Sequence, residues 1–233
     1  MRPRNVARPA AAGALCFAFS CAGAQTALAQ TETPSPTPVP VPVPAAGPAP
    51  EPRIGVQRRK LHVRAGKRTA VVGKLAPRLP GIRVSLQLRR DGRWKAIDRD
   101  RTDRRGRYKL RERLRRTGTA KVRLRVAGGP AVKSGKRVIG RLHVYRYAHA
   151  SWYGPGLYGN SLACGGRLGT GTVGVAHKWL PCGTMVTFKH GRRRVRVPVI
   201  DRGPYVGGRE YDLTAATAAR LGFKGHGAIL TTH

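Results

Sequence analysis

The stretch VRVPVIDRGPYVGGREYDLTAATAARLGF, residues 195 to 223, decides the fold of the C-terminal part of this chain. Val195, Val197 and Val199 alternate with Arg196 and Pro198, the period of two that makes a half-buried strand. That strand runs into Asp201 beside Gly203-Pro204, so a carboxylate emerges where a rigid element gives way to a turn. The Ala-rich run AATAARLGF then predicts a short helix, capped at its start by Asp212 or Thr214 and stopped by Gly222. Asp212 is read here as a cap rather than a catalyst. Other short strands are predicted near Ser151 to Tyr153, Thr172 to His177, Thr184 to Lys189 and Ala228 to Leu230. Strands gathered around one helix within about 85 residues point to a closed barrel.

Upstream, from Arg53 to Tyr147, the alternation is again that of strands. Ile82, Val84, Leu86 and Leu88 interleave with Arg83, Ser85, Gln87 and Arg89, and Val122, Leu124 and Val126 with Lys121, Arg123 and Arg125. Asp91-Gly92 between two such runs is a hairpin signal. The region resembles a small immunoglobulin-like β sandwich. It holds 32 Lys and Arg against 5 Asp and Glu, and so carries most of the charge of the whole chain, +36 over 233 residues. A field of that size needs an anionic partner; without one, like charges at this density repel each other. Nucleic acid is not expected, because Trp94, Tyr108, Tyr145 and Tyr147 come without a recognisable binding motif. The 30 Gly and 18 Pro argue against a helical bundle.

The N-terminus supplies the compartment. Arg2, Arg4 and Arg8 precede an uncharged run from Ala10 to Ala24, and Ala27-Leu28-Ala29 forms a small-x-small cleavage site, so residues 1–29 read as a secretory signal peptide. The run is too short for a comfortable transmembrane helix. Residues 30–52 are Pro-rich and read as an extended spacer. After cleavage only Cys164 and Cys182 remain, an even pair in an oxidising compartment, and one disulfide is predicted. No CxxC or HxxxH spacing accompanies the pair, so no metal and no cofactor are expected.

Four ordered segments carry a likeness. They are Ala150-Ser151-Trp152-Tyr153-Gly154; Val175-Ala176-His177-Lys178 with Leu180-Pro181-Cys182-Gly183-Thr184; Val199-Ile200-Asp201-Arg202-Gly203-Pro204-Tyr205; and Tyr211-Asp212-Leu213-Thr214. In this order they resemble the RlpA-like double-psi β-barrel family of septal lytic transglycosylases, more distantly expansins and barwin-like proteins. The resemblance covers most of residues 148–233 and none of residues 53–147. It implies a mainly β chain whose C-terminal double-psi β-barrel, with one short helix, follows the sandwich.

It also implies a groove for peptidoglycan glycan strands in which His177 and Asp201 are catalytic. The lytic members carry a Glu close to where this chain has Cys164-Gly165-Gly166-Arg167. Trp152, Tyr153, Tyr158 and Tyr205 have flat apolar faces and polar edges suited to sugar rings. Strand alternation allows only one of Trp152 and Tyr153 to face the groove. The expected partners are peptidoglycan and anionic wall polymers, and the expected place is the cell wall or envelope. A lytic cleavage to 1,6-anhydro ends is the leading expectation. A non-catalytic glycan-binding or expansin-like wall-loosening module is the alternative.

Overall fold

The computed structural model describes residues 47–233; the expected signal peptide and most of the Pro-rich spacer lie outside the described residues. The described chain is mainly β. Eight strands come first: β1 (Arg53–Lys60), β2 (His62–Arg64), β3 (Lys67–Ala76), β4 (Arg83–Arg90), β5 (Arg93–Arg101), β6 (Arg107–Leu114), β7 (Gly118–Val126) and β8 (Gly135–Tyr153). The remainder is β9 (Val175–His177), β10 (Met185–His190), β11 (Arg193–Asp201), β12 (Tyr211–Thr214), α1 (Ala215–Leu221) and β13 (Gly227–Thr231).

The basic region forms two sheets over one apolar core. The first has the order β1-β3-β6; in the second β5, β4, β7 and β8 are neighbours in that order and β2 pairs in parallel with β8. Val71, Leu75 and Leu110 from the first sheet pack with Leu86, Leu124 and Leu142 from the second. Asp91 and Gly92, at φ 50 and 73, make the β4–β5 turn that their sequence signals. The alternation leaves cations outside: Arg107, Lys109, Arg111 and Arg113 are all exposed on one face of β6, while Tyr108, Leu110 and Leu114 are buried behind them. Asp98 and Asp100 accept the backbone N–H groups of Arg111 (2.6 Å) and Lys109 (2.7 Å), so two of the few carboxylates cover a sheet edge that would otherwise be open.

The second body is a closed ring. Strands follow one another as β12-β9-β11-β10-β13-β8, and β12 pairs with β8 to close it. Two pairings, β9–β11 and β8–β12, are parallel and the others antiparallel. Val186, Phe188, Val197, Val199, Tyr211 and Leu213 fill the interior. Thr214 caps α1, accepting from the Thr217 N–H, and Gly222 ends it in the left-handed conformation at φ 63.

No linker joins the two bodies. The expected boundary at residues 147 and 148 falls inside the 19-residue strand β8, whose first part pairs with β7 and β2 and whose second part pairs with β13 and β12. At the joint the rings of His62 and His143 stack at 4.8 Å. Arg194 of the barrel donates to His62 Nε2 at 2.9 Å, which leaves the proton of a neutral ring on Nδ1, facing Tyr145 Oη at 3.1 Å. Burial, reinforced by the His62 and Arg194 charges, pushes His143 down to about 4, so this stack is uncharged at neutral pH.

Tyr108 lies along the inner face of the first sheet, donating its hydroxyl to the Gly55 carbonyl of β1 at 2.7 Å and passing directly over Gly73 of β3. A Cβ at position 73 would overlap both Gly55 O and the Tyr108 phenol. Gly73→Ala is therefore expected to cost about 2 to 3 kcal/mol of stability through overpacking, read as a lower urea midpoint with an unchanged slope.

Candidate active site

The pocket is built by three adjacent strands. Asp201 on β11 pairs with Ala176 on β9, and Ala176 pairs in turn with Asp212 on β12. Directly paired residues share a face, and two strand spacings put the α-carbons of the two acids roughly 10 Å apart, with only an alanine methyl between them. The resulting pocket, of about 230 Å³, is lined by Tyr153, Asp201, Arg202, Tyr205, Arg209 and Asp212 among others.

Asp201 reaches this face because β11 is irregular. Val195, Val197 and Val199 point inward, and unbroken alternation would carry Asp201 inward too. The register shifts between Val199 and Asp201, and the extra residue turns the carboxylate outward. Its Oδ1 then accepts the backbone N–H groups of Ala163 and Arg202, each at 2.9 Å.

Asp212 is not the helix cap; Thr214 is. Asp212 belongs to a strand in which Tyr211 and Leu213 are fully buried on the inner side, so alternation sends it to the pocket side beside Ser151. Its Oδ1 is buried without a hydrogen-bond partner, as is the Tyr153 hydroxyl. Burial pushes the Asp212 carboxyl above its usual range; the Asp201 charge adds to this, while Ser151 and Arg209 oppose it. Burial likewise raises the Tyr153 phenol, and the charges of Asp201 and Asp212 push it further. The buried Tyr-Asp-Leu-Thr alternation was the signal that could have marked Asp212 as a pocket residue.

The same alternation keeps His177 out of this pocket. It pairs with Tyr211 on the opposite face of β9, with ring centroids at 4.9 Å. Its Nδ1 accepts the N–H groups of Trp179 and Leu180, both at 3.0 Å, so the ring proton sits on Nε2, 4.0 Å from Glu210 Oε1. Burial holds His177 below the ordinary imidazole value, against the pull of Glu210. Glu210, the third carboxylate of the barrel, is engaged by both terminal nitrogens of Arg146.

Of the aromatic candidates, Tyr153 and Tyr205 line the pocket and Tyr205 is 81% exposed. Trp152 and Tyr158 are partly exposed but are not among the lining residues. The disulfide Cys164–Cys182 is formed, and it ties together two loops that serve the pocket. One carries Ala163, which donates to Asp201; the other is gripped by Arg202, whose Nη1 donates to the Leu180 carbonyl at 2.9 Å and whose Nη2 approaches Cys182 Sγ at 3.2 Å. Gly166 sits at φ 79, so a Glu introduced there would be strained.

A closed six-stranded ring with two parallel pairs and one capped helix is the architecture of the double-psi β-barrel class. Residues 147–232 match the family model described as lytic transglycolase. The chain is 38% identical over 100 residues to the probable endolytic peptidoglycan transglycosylase RlpA of Aquifex aeolicus, covering 42% of this chain and 44% of that one. It is 42% identical over 80 residues to the protein of the same name from Synechocystis sp., covering 34% and 25%. To the endolytic peptidoglycan transglycosylase RlpA of Campylobacter jejuni it is 40% identical over 74 residues, covering 31% and 27%. The C-terminal barrel of this chain, residues 147–232, is similar to the RlpA-like double-psi β-barrel family. The chain spans less than half the length of each of these relatives.

Reduction of Cys164–Cys182 should loosen both loops. On the chain-entropy account, a closed loop of this size is worth about 3 kcal/mol, so a reductant is expected to lower the barrel's melting temperature by several degrees. Calorimetry with and without reductant checks this, with thiol titration confirming that the bond has opened.

Proposed function

We propose that this chain is an exported, peptidoglycan-binding protein of the cell envelope, and that its barrel cleaves glycan strands as a lytic transglycosylase. The observation that carries the reading is the pair Asp201 and Asp212, facing one open pocket from either side of Ala176. The names of the relatives support the same substrate.

The two carboxyl groups have different surroundings, which suits them to different tasks. Asp212, biased by burial toward its protonated form, gives its proton to the glycosidic oxygen as the C1–O bond breaks. Asp201, with one oxygen held by two backbone N–H groups, faces the positive charge that grows at C1. It takes the proton of the sugar's own 6-hydroxyl as O6 bonds to C1. One bond to C1 is exchanged for another, a 1,6-anhydro end forms, and exchange with solvent through the open pocket resets both acids. Because the nucleophile belongs to the substrate, no water need be positioned on the far side of the ring, as hydrolysis would require. Tyr153 and Tyr205 offer faces for the sugars. His177 acts as a positioning residue, through the loop whose N–H groups it accepts.

Asp201→Asn and Asp212→Asn should each lower release of anhydro-muropeptides from purified wall by about 100-fold or more, with melting temperature and wall binding nearly kept. If the unmodified protein binds wall but releases no anhydro product, the non-catalytic, expansin-like alternative replaces this reading.

The sandwich, read as immunoglobulin-like from its two strand orders, would hold the protein on anionic wall polymers. The exposed row Arg107, Lys109, Arg111 and Arg113 is the densest straight line of charge that β6 offers to such a polymer. Changing all four to Gln should weaken wall retention several-fold at low salt and little at high salt, where screening has already removed the attraction. Equal loss at both would indicate recognition by shape.

A further inference from the structure

Trp179 is 84% exposed, the highest value among the large hydrophobic side chains of the described residues. An indole left in water forgoes the gain of burial, and a lone exposed ring on a loose loop would carry no message. This loop is not loose. The N–H groups of Trp179 and Leu180 both end on His177 Nδ1 at 3.0 Å. Arg202 Nη1 donates to the carbonyls of His177 (3.2 Å) and Leu180 (2.9 Å), one on either side of Trp179 with Lys178 between. Three residues further on, Cys182 is bonded to Cys164, and Gly183 N–H donates to the Val199 carbonyl at 2.8 Å. The backbone on both sides of Trp179 is therefore fixed while its ring stands in solvent.

The brace is shared with the acid pocket. Arg202 lines that pocket and adjoins Asp201, and Ala176, between the two acids, is three residues from Trp179, a reach of at most about 10 Å. Tyr205, the other strongly exposed aromatic of this region, follows Arg202 by three residues. We infer that Trp179 is a sugar-stacking subsite next to the Asp201/Asp212 pocket, taking a pyranose ring of a glycan strand whose scissile bond lies between the acids. The chemistry fits a sugar: a flat apolar face for the ring's C–H side, at the edge of a polar, cationic surface that can meet hydroxyl and carboxylate groups. A pre-fixed aromatic loses little entropy on stacking, so its contribution appears in affinity. The inference rests on the glycan reading of the pocket and gives His177 its task, which is to hold the platform rather than to meet the substrate.

The test uses the full chain and soluble glycan strands freed of stem peptides. Trp179→Ala is expected to raise Kd and KM about 10-fold, which is about 1.4 kcal/mol, with kcat and melting temperature unchanged. Trp179→Tyr, which keeps a flat ring, should recover most of the affinity. Binding of the strands should also shift the tryptophan emission of the unmodified protein to the blue, and this shift should vanish in Trp179→Tyr. If the unmodified protein binds the strands and Trp179→Ala changes Kd by less than 2-fold, the subsite is overturned while the pocket reading stands. If the unmodified protein binds no strands at all, both fall. A fall in kcat with KM unchanged would place Trp179 in the chemistry and likewise overturn its role as a remote subsite.

Discussion

The rim of the barrel depends on where β12 is inserted. Four residues, Tyr211 to Thr214, pair in parallel with β8 on one side and antiparallel with β9 on the other. That double pairing closes the ring, buries Tyr211 and Leu213 without exposure, and leaves Asp212 on the outer face in line with Ala176 and Asp201. Because side chains alternate strictly along a strand, the packing demand of the two large residues fixes the direction of the acid between them. One carboxylate oxygen, Oδ1, can remain buried without a partner because closing the barrel costs less than leaving Tyr211 and Leu213 in water.

A second constraint acts on the scale of the chain. β8 gives one backbone to two hydrogen-bonded systems, so the basic sandwich and the barrel share a strand instead of a flexible tether. Neutral His62 and His143 stack at the joint amid Arg194 and other cations, where burial keeps protons off both rings. A protein this basic can afford such a seam because its charges are pushed to the outer faces of the strands, as on β6 and on β7, where Lys121 and Arg125 are exposed while Val122, Leu124 and Val126 are buried. The charged strand faces of the sandwich are therefore carried on a body that continues into the barrel through β8 itself.

Much of this was legible in the amino-acid order because periodicity is a local property. Val195, Val197 and Val199 announced a strand, Asp91-Gly92 a hairpin, Gly222 the end of a helix, and Cys164 with Cys182 a bond; each appears in the structure. What was not legible depends on pairing between distant strands. The bulge that turns Asp201 outward is visible only as a shift against β9, and nothing in Val-Ile-Asp by itself says that Ile200 is the extra residue. Asp212 looked like a cap because two possible caps stand two residues apart, and the choice was made by β12 rather than by the helix. His177 was expected beside Asp201 because the family motifs name both. The alternation of Val175, Ala176 and His177 puts only the middle residue on the pocket face.

On the proposed reading, His177 matters to the site without entering it. Its Nδ1 can accept two N–H groups only while the ring is neutral, the form that burial favours by lowering its pKa. Arg202 supplies the complementary half, donating to carbonyls of the same loop, while its own backbone N–H is accepted by Asp201. The chain from imidazole to loop to guanidinium to carboxylate is continuous, and the disulfide returns it through Cys164 to Ala163, the other donor to Asp201. Removing the imidazole would therefore release N–H groups, a loop and one side of an acid together. A loss of activity on substituting this histidine is what a positioning role requires, and it is no evidence that the ring exchanges a proton with the sugar.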